Sequence, residues 1–180
     1  MSKLLLFIAV LGLSLQPAYT QDRATAPRDV KPGEVVKISD SLSVKVSKST
    51  APVFPGVKVK GEALVVTLEL IAAKKSATVS YSPSTDAKRS EISLTAGTLK
   101  LGPVAVVEDF PSWGKDNDKE VEVLDPKETH SSSSVEFEQQ GSVSFLFDIP
   151  AAQAKTAKKL TLKFRTTQPA PEQYSLTVVL

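Results

Sequence analysis

Leu64-Val65-Val66-Thr67-Leu68-Glu69-Leu70-Ile71 is the stretch that decides the architecture. Leucine or valine occupies positions 64, 66, 68 and 70, so an extended chain here presents one wholly apolar face. Val65, Thr67 and Ile71 fall on the other parity, which predicts a central strand covered on both sides.

The same period of two recurs on either side of this segment. Upstream, Val36, Ile38, Leu42, Val44 and Val46 share one parity, with Asp40 marking a break or bulge. Downstream come Val79 and Tyr81, Ile92 and Leu94, then Leu99 and Leu101 continuing to Val104 and Val106 beyond Gly102-Pro103. Val121 and Val123, Val135 and Phe137, and Val143, Phe145, Phe147 and Ile149 follow, the last set ending at Pro150. Leu160, Leu162 and Phe164, then Tyr174, Leu176, Val178 and Leu180, complete the series. About nine strands, separated by Pro, Gly, Ser and Asp, predict an all-β fold: an antiparallel two-sheet sandwich. No stretch offers the helices that parallel crossovers require. Only Ala151 to Lys159 has helix-forming composition. Lacking large apolar residues, it supports no more than a turn on the rim.

The N-terminus has a different design. Lys3, the apolar run Leu4 to Leu15 and the small-x-small triplet Ala18-Tyr19-Thr20 predict a secretory signal over 1–20, cleaved after Thr20, with an uncleaved anchor as the alternative. Twelve helical residues rise only about 18 Å, short of a hydrocarbon core of about 30 Å. Residues 21–33, polar and containing Pro27 and Pro32, read as a flexible tether, and 34–180 as the sandwich domain. The expected location is secreted or periplasmic, with nothing spanning the membrane after cleavage.

Of 180 residues, 41% are hydrophobic and 23% charged, with a formal net charge of +2, enough apolar material for one good core and too balanced a charge for a histone-like binder. The absence of cysteine excludes disulfides, thiolate metal sites and cysteine nucleophiles. His130 is the only histidine and sits in the loop-like Glu128-Thr129-His130-Ser131, neither oriented nor desolvated for a hydrolytic triad. The glycines form no phosphate-cradling motif. The expectation is a protein that is not an enzyme and carries no cofactor or resident metal.

Charge is nevertheless unevenly distributed. Residues 108–128 hold eight acids against three lysines, whereas 155–165 holds five bases and no acid. With Leu160, Leu162 and Phe164 facing inward, Lys159, Thr161, Lys163 and Arg165 face outward. Glu120, Glu122, Glu136 and Glu138 face outward by the same parity and could neutralise that strip across neighbouring strands. Otherwise Lys159, Lys163 and Arg165 offer a basic site for an envelope protein or an acidic polymer. Nucleic acid is not expected, because no aromatic side chains alternate with the bases. Phe110 and Trp113, in Asp109-Phe110-Pro111-Ser112-Trp113-Gly114, either plug one end of the sandwich or form a recognition patch. A runner-up reading centres on the 109–120 loop as a calcium-dependent carbohydrate-binding domain or hydrolase. Asp116, Asp118 and Glu120 place oxygens at alternate positions there, although no glycine or later glutamate completes the loop pattern.

Two segments carry a family likeness. Gly61-Glu62-Ala63-Leu64-Val65-Val66-Thr67-Leu68-Glu69-Leu70 resembles the glycine-led central strand of the immunoglobulin-like domain family of exported bacterial proteins of unassigned function, related in architecture to small secreted antigens. Gly141-Ser142-Val143-Ser144-Phe145-Leu146-Phe147-Asp148-Ile149-Pro150 resembles its late strand closing on a proline. The chain departs from the family's pattern at Ala72-Ala73-Lys74, where an asparagine turn is common, and at Gln140, where proline is. The resemblance implies an immunoglobulin-like fold and an exported location, and brings no catalytic residues with it; the expected role, read from the chain as a whole, is a non-catalytic binding or structural module.

Overall fold

The computed structural model describes residues 23–24, 26–49, 54, 56–73, 77–109, 121–125, 133–137, 140–166 and 172–180. Two sheets pack face to face. The deciding stretch lies in β5 (Glu62–Ala72), which is central, with β4 (Leu42–Ser49) on one side and β12 (Gln140–Ile149) on the other. Beyond them lie β3 (Val35–Lys37) at one edge, and β9 (Ala105–Asp109) and β10 (Val121–Leu124) at the other, completing a six-stranded front sheet.

The back sheet holds eight strands among the described residues. Its spine is β13 (Lys158–Thr166) paired with β14 (Glu172–Val179). On its far side β13 pairs first with β7 (Ile92–Ala96), over Lys158 to Leu162, and then with β6 (Ala77–Tyr81), at Arg165 and Thr166. β8 (Leu99–Leu101) extends β7, and β11 (Ser133–Phe137) extends β6. The sandwich is thus all-β. Its only described helical element is a 3-10 turn, Ala151–Gln153, on the rim where the composition allowed one.

Inward parity holds throughout. Val44, Val46, Val66, Leu68, Leu70, Val143, Phe145, Phe147 and Ile149 from the front sheet meet Val79, Tyr81, Ile92, Leu94, Leu160, Leu162, Phe164, Tyr174, Leu176 and Val178 from the back in one buried cluster. Each such aliphatic or aromatic side chain contributes about 1.5–3 kcal/mol by leaving water. Tyr81 and Phe145 meet edge to face across the gap, with centroids 5.7 Å apart at 85°. The second covering of β5 is real as well. Phe54, Val57 and Val59 lie over the outer face of the front sheet and form a smaller cluster with Val65, Val104, Ala105, Val107 and Leu146.

Three expectations need correction. Residues 21–33 are not simply a tether: β1 (Arg23–Ala24) and β2 (Arg28–Val30) both run along the free edge of β14. They pair parallel to it, so the sandwich is not purely antiparallel. Val30 is buried against the core, and the Arg28 guanidinium donates to the Lys37 carbonyl at 3.0 Å, joining the edges of the two sheets. The strand count rises to fourteen among the described residues, partly through these additions and partly because two runs are broken. Around Asp40 the chain turns back on itself, and Ile38 and Ser39 donate to the Leu42 carbonyl. At Gly102-Pro103 the chain leaves the back sheet for the front. There a Cβ on Gly102 would meet the Ser84 carbonyl oxygen at 1.9 Å, so only glycine lets the two backbones pass.

Candidate functional site

β13 positions the basic residues. Its burial alternates along Lys158–Thr166, with Leu160, Leu162 and Phe164 inside and Lys159 and Lys163 exposed on the outer face. Cross-strand register brings a third lysine to that face: Lys159 pairs with Thr95, and Thr95 with Lys100 on β8. Sequence reasoning missed Lys100, because three-residue β8 gives no sign of which strand it joins. Between the lysine rows lies a row of small hydroxyl side chains, Ser93, Thr161 and Thr177, continuing to Asp29 on β2. Among the described residues no carboxylate pairs with Lys100, Lys159 or Lys163.

Arg165 is engaged elsewhere. Its guanidinium lies 2.5 Å from Oε1 of Glu91, and the two side chains are 40% and 14% exposed. The other Glu91 oxygen accepts the Ser82 backbone N–H at 2.8 Å. The Glu91 backbone joins Ser82 on one side and Lys163 on the other. Glu91 therefore staples β6, β7 and β13 together where the back sheet changes partners, and Arg165 completes that staple. The strands that carry Glu122 and Glu136 do not neighbour β13, and Glu120 and Glu138 lie outside the described residues. β10, which carries Glu122, belongs to the front sheet, and β11, which carries Glu136, is separated from β13 by β6.

Other polar groups tie strands together, mostly within the front sheet. Lys45 and Glu69 pair at 2.8 Å across β4 and β5, and the Thr67 and Ser144 hydroxyls bond at 2.9 Å. Asp148 accepts the backbone N–H groups of Lys60 and Gly61 at 3.0 and 2.8 Å. Tyr81 donates to Glu108, linking back sheet to front. Tyr174 donates to Glu172, and its phenol is pushed up to about 12. Burial is the main cause, followed by the hydrogen bond and negative charge of Glu172; the Thr166 and Ser39 hydroxyls oppose them. A phenol that holds its proton so firmly serves structure at neutral pH.

Phe110, Trp113, Asp116, Asp118, Glu120 and His130 lie outside the described residues, as does the 1–20 signal region. Among the described residues no three His, Cys, Asp or Glu side chains are grouped to hold a metal, and no helix is long and apolar enough to cross a membrane.

No family model and no curated protein matches the chain. Among solved structures it is similar to an uncharacterized β-sandwich protein from Clostridium difficile, at 13% identity and a TM-score of 0.40, over 90% of this chain and 99% of that one. It is also similar to the secreted protein MPT63 of Mycobacterium tuberculosis, at 16% identity and a TM-score of 0.43, over 86% and 98%. A third similarity is to AggA, the major subunit of aggregative adherence fimbriae type I from Escherichia coli, at 9% identity and a TM-score of 0.34, over 78% and 97%.

Proposed function

We propose that this chain is an exported, non-catalytic β-sandwich module that binds an acidic partner at the cell envelope through the outer face of its back sheet. One observation carries the reading: Lys100, Lys159 and Lys163 share that face, and among the described residues no carboxylate forms an ion pair with any of them. Export is supported by Lys3, the apolar run to Leu15 and the Ala18-Tyr19-Thr20 triplet. Complementary charge sets partner choice and encounter rate more than raw affinity, so capture should be fast and sensitive to salt. Arg165 is withheld from this site by Glu91.

A dextran sulfate column tests the proposal. The protein is expected to be retained at low ionic strength, and Lys159→Gln/Lys163→Gln to elute at clearly lower salt with an unchanged melting temperature. Equal elution of the two proteins would overturn the assignment of this face.

A further inference from the structure

Spacing and side-chain type narrow the partner. Lys159 and Lys163 are four residues apart on one strand, about 13 Å along the sheet, and Lys100 lies two strands from Lys159, roughly 10 Å across it. These separations exceed the Debye length of about 8 Å at physiological salt. From backbone positions this far apart the three stems would have to converge to share one small anion, and contact with a single exposed ammonium changes occupancy no more than about fivefold. A chain of anions meets all three, and each further contact is made at the high effective concentration that linkage provides.

Lysine is a compact point charge, whereas the forked guanidinium of arginine reads the plane of a carboxylate or phosphate through paired hydrogen bonds. The only arginine of β13 is held on Glu91, which is itself fixed by Ser82. Between the lysines the floor is small: Ser93 and Thr177 are buried, and Thr161 is half-buried. No aromatic ring among the described residues shares this face to stack on a base or a sugar. Building on the proposed basic face, we infer that its partner is a linear polyanion, read by the spacing of its charges and not by the geometry of each anionic group. Glu91 keeps recognition in that mode by withholding Arg165.

Polyphosphate, poly-glutamate and dextran sulfate of matched charge per length are the probes, titrated by calorimetry against the folded protein. The three are expected to bind within about threefold of one another, and millimolar inorganic phosphate not to displace them. Lys100→Gln/Lys159→Gln/Lys163→Gln should weaken all three at least tenfold. Glu91→Gln keeps an acceptor for the Ser82 N–H but frees Arg165, and should tighten all three severalfold. Should that variant fail to fold, Arg165→Lys decides the point, because it keeps a cation beside Glu91. Unchanged polymer affinity supports the withheld arginine, and a tenfold loss overturns it. A tenfold preference for one polymer, displacement by inorganic phosphate, or a folded Glu91→Gln variant of unchanged affinity overturns the charge-spacing mode while leaving the basic face standing. Failure of every polymer to bind at low salt, or indifference to the triple substitution, removes the basic face itself.

Discussion

Tyr174 shows how a single side chain ties stability to pH. Its hydroxyl sits where the last strand passes the Ser39 turn, and burial together with Glu172 raises its pKa from 10 to about 12. The folded state therefore holds a proton that the unfolded state has begun to release above pH 10. Stability from this group is fully present below pH 10 and is lost as pH rises towards 12. Urea midpoints taken from pH 9 to 12 should fall more steeply for the native protein than for Tyr174→Phe, which has no phenol to titrate. Parallel curves would show that the hydroxyl is not held as described. Glu91 illustrates a different residue-scale lesson. It precedes the inward Ile92 and so falls on the outer parity, yet it is only 14% exposed and fixes Arg165. Burial of a charged pair depends on which strands meet, and alternation along one strand carries no record of that.

At the scale of the element, β2 separates what composition announces from what tertiary structure adds. Only Val30 in Arg28–Val30 is buried, and one apolar residue makes no period. The free edge of β14 supplies the partner instead, and the unpaired backbone groups of that edge gain hydrogen bonds when β2 runs beside it. Deleting residues 21–33 should thus lower the stability measured in urea by about 1.5–3 kcal/mol, the burial of one valine and its strand contacts. It should also promote association through the exposed edge in light scattering. An unchanged midpoint and a monomeric product would return the segment to a tether. β5 and β12 are the opposite case. Their alternation runs for four positions or more, so the inward set Val66, Leu68, Leu70, Val143, Phe145 and Phe147 was legible before any partner was known. The basic face was half legible. Lys159 and Lys163 follow from the parity of β13, whereas Lys100 joins them only through the order β8, β7, β13.

For the molecule as a whole, the decisive fact is that neighbours in space are distant in sequence. Val66 on β5 lies opposite Phe145 on β12, and β9 then pairs with the other side of β12. The central ladder of the front sheet therefore forms only after a long loop has closed, with a chain-entropy cost that no local contact offsets in advance. The larger of the two buried clusters is shared by both sheets, so each depends on the other for most of its interior. Phe145 stands at the junction, paired with Val66 and Val106 in its own sheet and packed edge-on against Tyr81 of the other. Phe145→Ala should cost about 3–5 kcal/mol, a large share of the roughly 5–15 kcal/mol that holds a domain folded. In the native protein, circular dichroism and tyrosine fluorescence should lose signal at the same urea concentration, because sheet and core come apart together. Refolding of molecules with native proline isomers should take milliseconds to seconds, as for other sandwiches dominated by non-local pairing. Separate transitions for the two probes, or a main refolding phase in microseconds, would mean that the sheets do not depend on each other through Phe145 and Tyr81.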